Sequence, residues 1–221
     1  MVRKRPVKTA VVVFAREPVP GRVKTRLASA IGEAAACSVY AALLERTLAV
    51  AADAGFDLVV SFAEPPSPGW TAGHAQRWEV QRGDDLGARM RDAFDRRFGD
   101  GFDRVVIVGS DCPRLEVEHL KGAVKALRDA AVVLGPAADG GYWIVAQRRP
   151  GVDLFTGIPW SSSGTLAATR KRLETLAVKW AQLKVLDDID TEGDLRAALA
   201  DARIAPELRQ RLAEAVNSSA S

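Results

Sequence analysis

One stretch constrains the chain more than any other: Thr9 to Leu27, TAVVVFAREPVPGRVKTRL. Val11 to Ala15 is a short, apolar, β-branched run, of the length and type expected of a strand buried on both faces. It breaks at Arg16 into a loop with Pro18, Pro20 and Gly21, residues that punctuate a chain by fixing or freeing φ. Arg16, Arg22, Lys24 and Arg26 follow within eleven residues. A first strand that runs directly into a basic, glycine-bearing loop is where α/β proteins hold phosphate, because ligands sit beyond the carboxyl ends of the strands. The pattern predicts an anion site, with polyphosphate the natural guest. The spacing G-x-x-K-T from Gly21 to Thr25 is neither a P-loop nor G-x-G-x-x-G, and the alternative is a proline-rich turn whose arginines face water.

The 221 residues suffice for one full core. A basic tail over residues 1–8, a single domain over 9–216 and a disordered tail over 217–221 are expected. The net charge of +3 is too small to argue for nucleic acid, and Arg3, Lys4, Arg5 and Lys8 account for it. No apolar run approaches the ~20 residues of a membrane helix, so no span is expected. The basic N-terminus lacks the apolar core of a signal peptide, which makes the expected location cytoplasmic. Cys37 and Cys112 lie far apart, without metal spacing, and are expected to be reduced.

Along the chain, Glu33 to Ala54 carries apolar stripes at helical spacing and ends at Gly55, the usual C′ residue. Leu58–Phe62 and Arg77–Gln81 read as strands, with an exposed proline-rich loop over Glu64–Gly73 between them. A helix follows Q-R-G-D-D-L-G-A-R-M, Gln81 to Met90, and Asp84 or Asp85 suits its N-cap because a short carboxylate accepts from free first-turn amides. Arg104–Ser110 reads as a strand, Leu115–Leu127 as a helix, and Ala131–Leu134 and Tyr142–Ala146 as strands. Ile158–Ser163 is a loop ahead of a helix through Leu173, able to hold an acceptor or to cap that helix. Val185–Asp194 closes the sheet region, with Asp190 or Thr191 and Asp194 as a capping box, and an amphipathic segment from Pro206 to Ala215 packs outside.

Asp111 stands at the carboxyl end of its strand, on the same sheet edge as the basic loop. A carboxylate facing polyphosphate is electrostatically costly unless a divalent cation lies between, and Mg2+ held by one or two carboxylates plus phosphates meets that need. The competing role is to cap a helix that Pro113 begins. Asp187, Asp188 and Asp190 crowd one turn, where capping needs a single acid, so one of them is free to serve as a second ligand. After Asp139, Gly140 and Gly141 allow either a close backbone approach to a ligand or a tight hairpin.

Taken in order, F-A-R-E-P-V-P-G-R-V-K-T-R-L, Q-R-G-D-D-L-G-A-R-M, V-G-S-D-C-P, G-P-A-A-D-G-G-Y-W-I and I-P-W-S-S-S resemble the DUF2064 family, over roughly Val11 to Leu199. That family is assigned to the GT-A superfamily of nucleotide-diphospho-sugar transferases. The chain is also similar to 2-phospholactate guanylyltransferases and molybdenum-cofactor nucleotidyltransferases, which share the basic loop, the Asp-x-Pro and a D-I-D-T-x-x-D-L like Asp188 to Leu195. The resemblance implies a single-domain, Rossmann-like α/β/α sandwich with a mixed, mostly parallel sheet. It implies that Ala15, Arg16, Gly21, Lys24 and Arg26 hold nucleotide phosphates, with Gln81, Asp85 and Gly87 lining the base and ribose pocket. Asp111 and Asp190 would hold Mg2+ or Mn2+, Lys24 and Asp111 would be catalytic, and Gly140, Tyr142, Trp160 and Ser161 would face the acceptor. The implied partners are a nucleotide or nucleotide-sugar donor and a small acceptor, without nucleic acid, in a monomer or homodimer. Glycosyl transfer is the leading expectation, nucleotidyl transfer the second, and a non-catalytic nucleotide-binding module the third.

Overall fold

A computed structural model of the protein describes residues 5–69, 77–160 and 162–217. Its elements in chain order are β1 (Thr9–Ala15), α1 (Thr25–Ile31), α2 (Glu33–Asp53), β2 (Asp57–Phe62), β3 (Trp78–Val80), α3 (Leu86–Gly99), β4 (Arg104–Val108), α4 (Val117–Ala126), β5 (Val132–Pro136), β6 (Tyr142–Arg148), α5 (Thr165–Thr175), β7 (Trp180–Gln182), α6 (Glu192–Ala200) and α7 (Pro206–Asn217). The strands form one seven-stranded sheet in the order β3-β2-β1-β4-β6-β5-β7. β6 runs against both of its neighbours, and every other pair is parallel. The sheet is therefore the mixed, mostly parallel one that the family resemblance implies.

Buried strands need apolar side chains on both faces, and β1 supplies them by alternation. Val11 and Val13 point to one core, shared with Leu44 of α2 and Leu120 of α4, while Ala10 and Val12 point to a second, shared with Phe94 of α3 and Leu173 of α5. A third cluster packs α7, through Leu208 and Leu212, onto Val39 and Leu43 on the outer side of α2. Each such leucine removed from water contributes ~1.5–3 kcal/mol before chain entropy is counted. α2 is long and apolar enough in composition to cross a membrane, which the sequence reading did not anticipate, yet 67% of its apolar window is buried inside the fold.

Two elements depart from the expectations. The stretch after Lys24, read as loop, forms α1, which ends at Gly32 with φ +86°. β7 lies at Trp180–Gln182, ahead of the predicted closing segment, and Leu186 adds an isolated bridge to Ala137. Asn217, assigned to the tail, is the last residue of α7, and 218–221 lie outside the described residues, as does the 70–73 part of the proline-rich loop.

Because β6 alone is reversed, six strands end on the same edge and β6 begins there. β1 continues to β2 on one side and pairs with β4 on the other, so the edge has its switch point between β1 and β4, where such sheets open a crevice.

Candidate functional site

The loop after β1 is fixed before it reaches the crevice. The Ala63 N–H donates to the Ala15 carbonyl at 2.9 Å, and the Arg16 N–H donates to Tyr40 Oη at 2.9 Å. The Tyr40 hydroxyl also lies 3.0 Å from Ser110 Oγ at the end of β4. One buried phenol on α2 thus ties both sides of the switch point together, and its burial raises its pKa despite these bonds. Gly21 turns the loop with φ +75°, where a Cβ would meet the Glu33 carboxylate at 3.0 Å.

Lys24 follows in a left-handed backbone conformation, φ 49° and ψ 44°, which costs an L-residue roughly 1 kcal/mol. The turn sends the side chain inward, leaving it 6% exposed. Its ammonium stands 2.9 Å from Asp111 Oδ2 and 3.6 Å from Asp190 Oδ1. Burial alone would lower the lysine pKa, but Asp111, joined by Asp190 and Asp188, outweighs it and the value is raised. Arg26 donates to the other oxygen of Asp190 at 2.7 Å.

The two carboxylates are held by separate devices. Asp111 begins the turn beyond β4, and the Ile189 N–H reaches its carbonyl at 3.2 Å. It does not cap the following helix. Glu116 and His119 form that capping box instead, which leaves the Asp111 carboxylate for Lys24. Asp190 precedes α6, whose Thr191–Asp194 capping box is formed as expected, and Asp194 Oδ2 also accepts from the Asp190 N–H at 3.1 Å. Beside them Asp188 has its pKa pushed up to about 6, by burial first and by the charge of Asp111 second.

These groups line a cavity of about 750 Å³ that contains Ala15, Arg16, Lys24, Arg26, Gln81 and Asp85 together with Asp111 and Asp190. Gln81 is anchored to β2 by Nε2 donating to the Ser61 carbonyl at 2.8 Å. Asp85 spends Oδ1 as the N-cap of α3, accepting from the Ala88 N–H at 2.7 Å. Gly21 and Gly87 stand outside this lining. Gly87 is buried in the first turn of α3, where a Cβ would come within 2.5 Å of the Trp160 indole. A second cavity, of about 650 Å³, shares Arg26 and Asp190 with the first and adds Asp139, Asp187 and Asp188.

The expected acceptor residues gather elsewhere. Tyr142 and Trp160 pack edge to face with centroids 6.4 Å apart, and Trp160 lines a third cavity, of about 540 Å³, that meets the first at Asp85. Gly140 lies against Ser163, whose carbonyl oxygen would be 2.2 Å from an added Cβ, and its own carbonyl accepts from the Leu166 N–H at 2.8 Å. Ser161 is outside the described residues. Tyr40 and Ser110 line the first cavity without having been singled out for a site, and Asp188, one of the three acids offered as a second ligand, lines the second. Ser110 adjoins a predicted ligand in sequence, whereas Tyr40 reads from sequence as one more core residue of α2.

The fold is an α/β fold shared with nucleotide-diphospho-sugar transferases and with nucleotidyltransferases. A candidate nucleotide-diphospho-sugar transferase from Desulfovibrio desulfuricans G20 superposes with a TM-score of 0.86 at 27% identity, covering 97% of this chain and 99% of that one. A cytidylyltransferase from Leptospira borgpetersenii shares the fold at a TM-score of 0.55 and 17% identity, covering 97% of this chain and 96% of that one. So does CMP:2-keto-3-deoxy-manno-octonic acid synthetase complexed with CTP, with a TM-score of 0.51 and 14% identity over 94% of this chain and 99% of that one. Residues 39–162 match the family described as "Uncharacterized protein conserved in bacteria (DUF2064)", and the chain belongs to that family. The matched span contains Asp111 but neither Lys24 nor Asp190. No curated protein matches the chain.

Proposed function

We propose that the protein is a GT-A-type transferase that binds a nucleotide-diphospho-sugar donor in the 750 Å³ cavity and transfers the glycosyl group to a small acceptor. One observation carries this reading: Asp111 and Asp190, from distant parts of the chain, converge on one cationic point inside a cavity that also holds Arg16, Arg22 and Arg26. Carboxylates and guanidiniums share a cavity productively when the ligand brings phosphates and a cation together. The likeness to the Desulfovibrio protein supports the same class.

The residues fit a divalent cation. Asp111 and Asp190 offer hard oxygens to one point, and because no group of three or more acidic, histidine or cysteine side chains forms a metal cage among the described residues, ligand oxygens and water would have to complete the set. Two carboxylates plus phosphates and water is the donor set Mg2+ or Mn2+ accepts. The cation would supply charge neutralisation on the departing nucleoside diphosphate. The chain's own residues do the rest. Arg16, Arg22 and Arg26 receive the phosphates, and Gln81 and Asp85 bound the nucleoside end of the cavity. The acceptor enters by the adjoining 650 Å³ cavity, which reaches the carboxylate pair through Asp190. Asp188 lines that cavity beside Asp190 and would be the carboxylate that takes the acceptor hydroxyl proton.

Nucleotidyl transfer is the second reading, favoured by the density of cations on the first loop, since attack of an acceptor phosphate on the α-phosphorus needs no protein base. Phosphorus NMR of the purified protein with Mg2+ and panels of nucleotide sugars and nucleoside triphosphates separates the two. Slow release of a nucleoside diphosphate from one nucleotide sugar supports glycosyl transfer. Pyrophosphate from one triphosphate supports the second reading, and an unchanged spectrum in every mixture counts against both.

A further inference from the structure

The ion pair at the centre of the site contains a conflict. If Asp111 and Asp190 hold a divalent cation, the Lys24 ammonium already occupies the point on which they converge, at 2.9 and 3.6 Å. A divalent cation seated between the two carboxylates would face that ammonium at short range and bind against its repulsion for as long as the lysine stays in place. The lysine is not a casual surface partner. Its side chain is 6% exposed, its backbone holds a left-handed conformation that an L-residue adopts at a cost, and no side-chain cap bond repays that strain. What the strain secures is a positive charge between Asp111 and Asp190, whose negative charges would otherwise face one another.

We propose that Lys24 is a resident counter-ion which keeps the two carboxylates together in the free protein and which the divalent cation displaces when it arrives with the nucleotide phosphates. This rests on the metal reading of Asp111 and Asp190 given above. Displaced from the pair, the ammonium remains in the cavity beside Arg16, Arg22 and Arg26, where incoming phosphates provide the anion it has lost. Free metal offers no such exchange and must expel a buried charge without compensation. Metal and nucleotide therefore bind cooperatively, and metal alone binds poorly.

Titration of the full-length protein with Mn2+, with free aquo-Mn2+ read by electron paramagnetic resonance, tests this without any turnover. Wild type and Lys24→Met are compared, each with and without a nucleoside diphosphate; Lys24→Gln serves as a second neutral variant, and circular dichroism checks that each is folded. Removal of the charge is expected to tighten Mn2+ binding to the nucleotide-free protein at least ten-fold and to shrink the nucleotide-dependent gain seen in wild type. Adding Asp111→Asn to Lys24→Met is expected to abolish the tightening. Equal Mn2+ affinity in wild type and both neutral variants, with uptake alongside nucleotide still dependent on Asp111, overturns the counter-ion role while leaving the metal reading in place. Nucleotide-linked Mn2+ uptake that is indifferent to both Asp111→Asn and Asp190→Asn overturns the metal reading, and the proposal with it.

Discussion

Gly87 and Trp160 are in direct register: the indole packs where a Cβ of residue 87 would be, 2.5 Å from its ring atoms. The contact joins the first turn of α3 to the loop before α5, and Phe155 and Tyr142 brace the ring at centroid distances of 6.1 and 6.4 Å. Gly87→Ala is expected to push the indole away and to cost roughly 1–3 kcal/mol of stability, the usual range for overpacking. In a Trp160→Leu background the same substitution is expected to cost much less, because contacting residues couple. Urea unfolding of the four proteins of this cycle measures it, and additive losses would show that the ring yields freely.

Tyr40→Phe removes one oxygen from the core of the site. The Arg16 N–H loses its acceptor and Ser110 its partner, for about 1–2 kcal/mol of stability. The loop after β1 also loses its tether, so nucleotide affinity is expected to fall along with the unfolding midpoint. A change in stability with unaltered affinity would assign the phenol to packing alone.

Glu79 on β3 receives Arg96 at 2.8 Å and Arg97 at 2.9 Å, and Arg97 is 4% exposed. Glu79→Gln removes the charge that joins the three-residue edge strand to α3, leaving Arg97 with Asp100 at 3.4 Å and Arg96 with Asp92 at 2.6 Å. A loss of about 1.5–3 kcal/mol is expected, the range for a charged hydrogen bond, since neither guanidinium is left without a carboxylate. Hydrogen exchange should quicken first in β3 and the C-terminal half of α3, and a uniform change across the sheet would contradict that placement.

Asp188 gives stability a pH dependence of definite sign. Its carboxyl keeps its proton to about 6 in the folded protein against 3.8 in the unfolded chain, so folding favours the protonated form. The native state then binds more protons between these values, and stability from this group falls as pH rises from 3.8 to about 6. Asp188→Asn removes the penalty. It is expected to raise Tm above wild type at pH 7.5, in chelator, and to give no advantage near pH 3.5. A gain that is the same at both pH values would mean that the charge of Asp188 is not the cause.

Much of this architecture is written locally. The β1 run, the Asp85 cap and the Thr191–Asp194 box each follow from short-range chemistry, and the structure forms all three. α1 and β7 were not legible because neither carries its own signal. The first has seven residues and starts from a left-handed lysine without a side-chain cap; the second is three residues long and exists through pairing with β5. Gly87 and Gly140 show a different limit. The sequence offers Gly140 for a close backbone approach or a hairpin, and Gly87 is placed at the nucleotide by resemblance alone, whereas here Ser163 and Trp160 fill the space a Cβ would need. The basic loop and the acids were visible as residue types, whereas the closure of Lys24 between two distant carboxylates is a property of the sheet edge that brings them together.

Anomalous diffraction from crystals grown with Mn2+ and a nucleoside diphosphate tests the central claim most directly. One manganese peak is expected between Asp111 and Asp190, with the phosphates against the Arg16–Arg26 loop and Lys24 turned from the carboxylates toward them. A nucleotide bound in that cavity with Lys24 still on Asp111 and no manganese at the pair, or a nucleotide bound elsewhere on the protein, would contradict it.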